Sequence, residues 1–368
     1  MSTNRPLRIL LWYWGRRGGG AQFALGLARA LAVRADAELR LSLSAEGELV
    51  SAFRDLGVPT QLISTYRGLP GFVASIPRIP SAGRRLAAAA AECDVVLSAM
   101  THLWTPFVAG HLRRSGVRFV PVIHDAAPHP GDFSVAWQWR LNRELSAADA
   151  AVVLSGTVAA ALQARRPDLP QIRMPLPALL LGSPASRPAA SGRFVFFGRF
   201  RHYKGLDLLR DAFARLRARH PHITLRVVGE GDAEGCAPGL TGLPGVTVES
   251  RWVAEAEIPD LLADAAAVVL PYREASQSGV VPQALALGVP VVATPVGGLL
   301  EQVRQGSGGV LATAVTPAAL AEAMEAALDP ARAQELRREA LVAGRALTDW
   351  NAAATHLVAE LRRAVFPV

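Results

Sequence analysis

Two α/β domains, each a parallel sheet covered by helices, are what the 368-residue sequence predicts. Short apolar runs of strand composition alternate with amphipathic helical patterns through both halves. A stretch rich in Pro, Gly and Ser with no period, Pro175–Ser191, breaks the composition between them. Each half also places glycine directly after its first strand. The reading is a first domain over 1–174, a linker over 175–191, a second domain over 192–348 and a terminal helix over 349–368. Two such domains set face to face make a cleft, the usual place for a ligand.

Leu7–Trp14 is apolar along its length, as expected of a strand buried on both faces. Gly15–Gly20 (G-R-R-G-G-G) and an alanine-rich helix, Ala21–Val33, follow. The spacing is not a dinucleotide fingerprint. Gly18, Gly19 and Gly20 either form a simple turn or let backbone N–H groups approach a bulky ligand. A strand at Leu39–Leu43, a helix at Glu48–Leu56 and a strand at Thr60–Ile63 continue the alternation. Tyr66–Pro80, rich in Gly and Pro, reads as a loop, either a surface excursion or a contact for an acceptor. Next come a helix at Gly83–Ala91, a strand at Asp94–Ser98, a helix at Trp104–Arg114 and a strand at Arg118–Ile123. His124 and Asp125 end that strand, with His129 shortly after. Parallel sheets gather ligands at strand carboxyl ends, so His124 is a candidate for chemistry; a structural hydrogen bond is the competing account. The apolar window Leu145–Leu162 is interrupted by Asp149, Ser155, Gly156 and Thr157. It reads as a helix end, the strand Ala151–Leu154 and the next helix, not as a membrane span.

The second half opens on Arg193–Asp211, R-F-V-F-F-G-R-F-R-H-Y-K-G-L-D-L-L-R-D: strand, basic loop, helix start. Lys204 is the only lysine among the 39 basic residues counted as Lys and Arg. A compact ammonium suits phosphate oxygens, an Arg fork grips them bidentately, and a helix N-terminus adds free N–H groups. Gly198, Arg199 and Lys204 therefore read as a diphosphate site, against the alternative of a solvated basic loop. The pattern continues with a helix at Leu206–Arg219 and strands at Thr224–Val228 and Val246–Glu249, the first ending in Gly229 and Glu230. A helix at Ile258–Ala263 leads to the strand Ala266–Leu270 and Pro271-Tyr272. A short helix at Gln283–Leu287, a strand at Val289–Thr294 and a helix at Leu299–Val303 follow. Helical patterns at Thr316–Leu328, Ala331–Leu347 and Trp350–Arg363 finish the chain.

Apolar content of 51% with 19% charged residues describes a globular protein. Cys93 and Cys236 give neither a disulfide framework nor metal-ligand spacing, which fits a reducing, cytoplasmic compartment. The first residues lead straight into a strand without a signal-peptide core. Net charge of +8 points to anionic partners. Nucleic acid falls behind for want of zinc-finger spacing or an RNP-like aromatic motif. Arg pairs at 16–17, 84–85, 113–114 and 165–166 all lie in the first half, which suits peripheral contact with an anionic membrane surface at its inner face.

G-R-F-R-H-Y-K-G at 198–205, V-V-G-E-G at 227–231 and the run V-V-L-P-Y-R-E-A-S-Q-S-G-V-V-P-Q-A-L-A-L-G-V-P-V-V-A-T-P-V-G-G-L-L-E at 268–301 are in a familiar order. They resemble the nucleotide-binding half of retaining GT-B glycosyltransferases, in particular the large bacterial family-4 type. The resemblance implies a GT-B fold, two Rossmann-like doubly wound parallel-sheet domains facing across a cleft, with the last helix packing back toward the first domain. It implies a nucleoside-diphosphate sugar as donor substrate, with no cofactor and no metal. Arg199 and Lys204 would hold the diphosphate and steady the departing nucleotide, and backbone N–H groups of Ser278, Gly279 and Val280 would meet the distal phosphate. Arg251, Trp252 and Val253 would flank the nucleobase, and Gly229 with Glu230 would border the nucleoside. Gly18, Gly19 and Gly20 would meet phosphate or sugar from the first domain, with His124 beside the transferred sugar. The family's usual Glu-x7-Glu is altered: Gln283 stands at the second glutamate, which binds ribose hydroxyls, and Ala275 at the first. Glu274, one place early, would stand in through a one-residue shift of the loop. The activity implied is sugar transfer with retention to a glycan, lipid-linked or small-molecule acceptor. A silent nucleotide-sugar-binding protein and an epimerase of related fold are the competing readings.

Overall fold

A computed structural model of the chain describes residues 5–128, 134–179, 192–306 and 308–366. His129 and linker residues 180–191 lie outside the described residues. The chain divides into two compact units, one formed by Met1–Pro175 with Asp349–Val368, the other by Leu176–Thr348.

The first unit runs β1 (Leu7–Tyr13), α1 (Gly19–Ala32), β2 (Ala37–Ser44), α2 (Val50–Arg54), β3 (Thr60–Ile63), α3 (Gly68–Ser75), α4 (Ile79–Ala90), β4 (Val95–Ser98), α5 (Thr105–Ser115), β5 (Arg118–Ile123), α6 (Ser134–Ala147), β6 (Ala151–Val153), α7 (Gly156–Arg165) and β7 (Gln171–Arg173). Its seven strands pair in parallel in the order β3-β2-β1-β4-β5-β6-β7. β1 lies between β2 and β4 and is buried except for Arg8, as a central strand covered on both faces must be. Trp12, Trp14 and Trp104 stack edge to face at 5.0 and 6.0 Å along that core, and the Trp14 indole donates to Ser42 Oγ at 3.1 Å.

The second unit runs β8 (Arg193–Phe197), α8 (Leu206–Arg219), β9 (Thr224–Gly229), α9 (Ala233–Cys236), β10 (Val246–Ser250), α10 (Ile258–Leu262), β11 (Ala267–Leu270), α11 (Val280–Ala286), β12 (Val291–Ala293), α12 (Gly297–Gly306), β13 (Gly309–Leu311), α13 (Pro317–Ala326) and α14 (Pro330–Leu347). Its six strands, also parallel, take the order β10-β9-β8-β11-β12-β13. α15 (Trp350–Val365) belongs to the first unit and packs on α1, with the Trp350 ring 5.8 Å from Phe23.

Tyr66–Pro80 is not a loop. It holds α3, a 3-10 turn at Ile76–Arg78 and the start of α4. Pro77 and Pro80 sit in the first turns of their helices, where no backbone N–H is required and the fixed φ suits the helix. α6 and the three-residue strands β7 and β13 extend the alternation beyond what the pattern indicated. Among the described residues, no helix is long and apolar enough to cross a membrane.

Candidate functional site: the carboxyl edges of the two sheets

In each sheet the strand order reverses beside the first strand, between β1 and β4 and between β8 and β11. Loops leaving neighbouring strands in opposite directions open a crevice at such a point. In the second unit the loops after β8 and β11 meet there. Gly205 closes the 3-10 turn His202–Lys204 in the left-handed region at φ 67° and begins α8. A Cβ on Gly205 would lie 2.0 Å from the carbonyl oxygen of Pro271. Across the same seam Arg273 N donates to Tyr203 O at 2.8 Å, and Arg273 pairs with Asp207 at 2.6 Å.

Those contacts set Lys204. Its ammonium lies 3.7 Å from the centre of the Tyr272 ring, and Tyr272 is fully buried. The ring face attracts the cation without neutralising it, so the charge stays available to an anion. The Tyr272 hydroxyl lies 3.4 Å from Ser278 Oγ, which ties Lys204 to the start of α11. Arg199 is exposed on the same loop, with no ion-pair partner among the described residues. Gly198 N donates to Val228 O at 3.1 Å and Phe200 N to Glu230 O at 2.9 Å, so the loop after β9 lies against the basic loop. The structure thus brings Gly198, Arg199, Lys204, Gly229, Glu230 and Ser278 to one edge.

Other residues stand differently. Ser278 N donates to Gln302 Oε1 at 2.8 Å and Val280 N to Ser278 Oγ at 3.3 Å, which leaves Gly279 the one N–H of the three that neither bond engages. Gln283 is 5% exposed, and its Oε1 is buried without a partner among the described residues. A buried acceptor in that state is unusual in a finished core. Ala275 is in the core, and its carbonyl accepts from Gly298 N at 2.9 Å. Gly297, at φ 43°, comes so close that a Cβ there would lie 2.0 Å from the same carbonyl oxygen. Backbone packing thus holds this loop closely at Ala275, and the neighbouring Glu274 is exposed. After the edge strand β10, Arg251 is held by Glu249 at 3.0 Å and Glu257 at 2.8 Å, and Val253 is buried, while Trp252 is 46% exposed.

In the first unit Gly18 caps α1 with no side-chain hydrogen bond, Gly19 is exposed and Gly20 is buried. His124 packs edge to face on Phe23 at 5.3 Å, and its Nε2 lies 2.9 Å from Ala99 O. A carbonyl can only accept, so Nε2 carries the proton and Nδ1 is left as an acceptor. Burial lowers the pKa of this imidazole, which favours the neutral form. Two features escaped the sequence. Tyr272 supports the lysine, a pairing between distant segments that no local pattern announces. Glu144 on α6 is fully buried; burial pushes its pKa up to about 7, and Thr101 Oγ1 donates to it at 2.7 Å.

Two doubly wound parallel sheets with this basic loop at the second switch point define a GT-B protein. Residues 17–174 match the model described as Glycosyltransferase Family 4, and residues 191–330 the one described as Glycosyl transferases group 1. Together the two matches take in most of the chain, which belongs to the family-4-type GT-B glycosyltransferases. It is 35% identical over 179 residues to the glycogen synthase of Mycobacterium tuberculosis, across 46% of this chain and 42% of that protein. It is 33% identical over 161 residues to the D-inositol 3-phosphate glycosyltransferase of an Arthrobacter species, across 42% of this chain and 38% of that one. Each match thus spans less than half the length of the relative. Anabaena HepE, solved in complex with UDP and glucose, superposes with a TM-score of 0.76 at 18% identity, covering 96% of this chain and 99% of that one.

Proposed function

We propose that the chain transfers a sugar from a nucleoside-diphosphate donor to a hydroxyl of a glycan, lipid-linked or small-molecule acceptor, with retention of configuration. The supporting observation is Lys204, the sole lysine, held on a buried tyrosine at a topological switch point beside an Arg199 without an acidic partner among the described residues. Two cations there would stabilise a leaving diphosphate as charge builds on it, in the role a metal ion fills elsewhere. The bond from the anomeric carbon to the diphosphate oxygen breaks, the acceptor oxygen attacks the same face, and its proton passes toward the leaving phosphate. His124, neutral and with Nδ1 open, suits a hydrogen bond to a sugar hydroxyl. The orphan oxygen of Gln283 suits a ribose hydroxyl, and Glu274, exposed on the β11 loop, would face the sugar. The diphosphate would take the Gly279 N–H directly, or that of Ser278 once Gln302 gives way. Gly18–Gly20 would meet phosphate or sugar, and Arg251, Trp252 and Val253 would border the base, Trp252 through its exposed ring. Buried Cys93 and unpaired Cys236 suit a reducing compartment.

Lys204→Ala tests this reading. Turnover with the cognate donor should fall about 100- to 1000-fold, and the affinity for the nucleoside diphosphate should drop with it. A variant that binds nucleotide and turns over as the parent does would remove the lysine from the mechanism. Nucleotide binding with no transfer across a panel of sugars and acceptors would favour the silent binding protein. Donor conversion without acceptor would favour the epimerase.

A further inference from the structure

Ten large apolar side chains are exposed among the described residues, and six of them fall between α3 and α6 of the first unit: Val73, Ile76, Leu103, Phe107, Val135 and Trp139. Phe107 and Trp139 touch, with ring centres 5.5 Å apart, and are 50% and 47% exposed. Leu103 lies in the turn that leads into α5, just ahead of Phe107, and Val135 lies one turn before Trp139 at the head of α6. Beneath this surface Tyr66 packs on Phe72 of α3 at 5.1 Å and on buried Trp104 at 5.9 Å, which sets α3 against the start of α5. Because α5 and α6 follow β4 and β5, their first turns lie at the carboxyl edge of the sheet.

The charge on the same elements has one sign. From α3 to α6 the exposed ionic side chains of the helices are arginines, Arg78, Arg84, Arg85, Arg113, Arg114 and Arg143. The one acid within those helices, Glu144, is completely buried. A protein partner of ordinary mixed charge would leave this surface half unmatched. A negatively charged plane that also accepts aromatic and aliphatic tips matches all of it.

We propose that the heads of α5 and α6, with α3 beside them, form a monotopic docking surface for an anionic lipid bilayer. Phe107 and Trp139 enter the headgroup layer, and the arginines on the later turns hold the lipid phosphates. The surface involves none of the residues assigned to donor binding.

Co-sedimentation of the full chain with vesicles tests it. The chain should pellet with phosphatidylcholine vesicles containing phosphatidylglycerol at roughly one lipid in three, and stay in solution with phosphatidylcholine alone. Phe107→Ser with Trp139→Ser should weaken that binding about tenfold. Arg114→Glu with Arg143→Glu should do the same, and 0.5 M salt should release the wild type, as screening requires. Unchanged melting temperatures establish that the variants are folded; both positions in each pair are exposed, so folding is not at stake. No binding to charged vesicles, or equal binding by both variants, overturns the proposal. So does a wild-type dimer in sedimentation velocity that Phe107→Ser with Trp139→Ser dissociates while vesicles remain unbound. Loss of transfer in Lys204→Ala with vesicle binding intact leaves the docking surface standing, and the converse result leaves the transferase reading standing.

Discussion

Glu144 shows how much one side chain can store. Its Oε2 takes the Thr101 hydroxyl at 2.7 Å, its Oε1 has no partner among the described residues, and the facing charge is Arg140 one turn earlier on the same helix. Burial raises its pKa from 4.5 to about 7 although Arg140 pulls the other way. As the pH rises through that window the unfolded chain releases a proton that the folded chain keeps, so this group removes stability with increasing pH. Glu144→Gln keeps the shape and can still accept from Thr101. It should therefore melt higher than the parent above pH 7, by about 2–3 kcal/mol of stability, with the difference shrinking toward pH 5. A difference that does not vary with pH would show Glu144 ionised in the fold. His102 works in the opposite sense, because burial lowers its pKa to about 3 and stability falls as acid protonates the unfolded chain. Neither group stood out in the sequence. Glu144 sits in R-E-L-S, which reads like any solvated helix face, and only the tertiary fold turns it inward.

Among the elements, the turn His202–Lys204 is the one whose geometry can be tested most directly. Gly205→Ala would require a side chain at φ 67° and a Cβ 2.0 Å from the Pro271 carbonyl oxygen. The left-handed conformation alone costs about 1–2 kcal/mol, and the overlap with backbone adds to it. The variant should lose about 3 kcal/mol or more in denaturant unfolding, and its nucleotide affinity should drop as the loops after β8 and β11 part. A fully stable Gly205→Ala would mean that the seam opens freely. At this scale the sequence was legible where strands are long and buried. β1 and β8 stand out because nearly every residue is apolar. β7 and β13 have three residues each, too few to show a period, and β7 has polar ends. The helix α3 was hidden by Gly68, Pro70 and Gly71, residues that mark turns unless tertiary packing overrides them. The basic loop of the site could be read because a lone lysine among arginines is visible without a structure. The aromatic seat beneath it could not, since nothing local pairs Lys204 with Tyr272 across 68 residues.

Over the whole molecule, the first unit is discontinuous. α15 buries Trp350, Leu357, Val358, Leu361 and Val365 against it. At about 2 kcal/mol for each large apolar side chain, this approaches 10 kcal/mol, the entire stability of a typical domain. Polar ties add to it: His356 Nε2 meets Arg173 O at 2.9 Å, and Arg362 donates to the carbonyls of Arg5 and Asp36 at 2.8 and 3.0 Å. A chain ending at Thr348 should lose the first unit to proteolysis while a fragment beginning near residue 192 survives. Equal protection of both units in that truncated chain would show α15 to be dispensable. The sequence marked Trp350–Arg363 as a helix, but no local pattern reveals which body a terminal helix joins. α15 also carries a consequence for biosynthesis. The ribosome makes residues 1–175 before α15, so their core lacks one wall until α15 has been translated and has left the exit tunnel. The first unit is therefore completed only after the second has been made, and in the interval its unsheathed α1 face is the natural target for a chaperone.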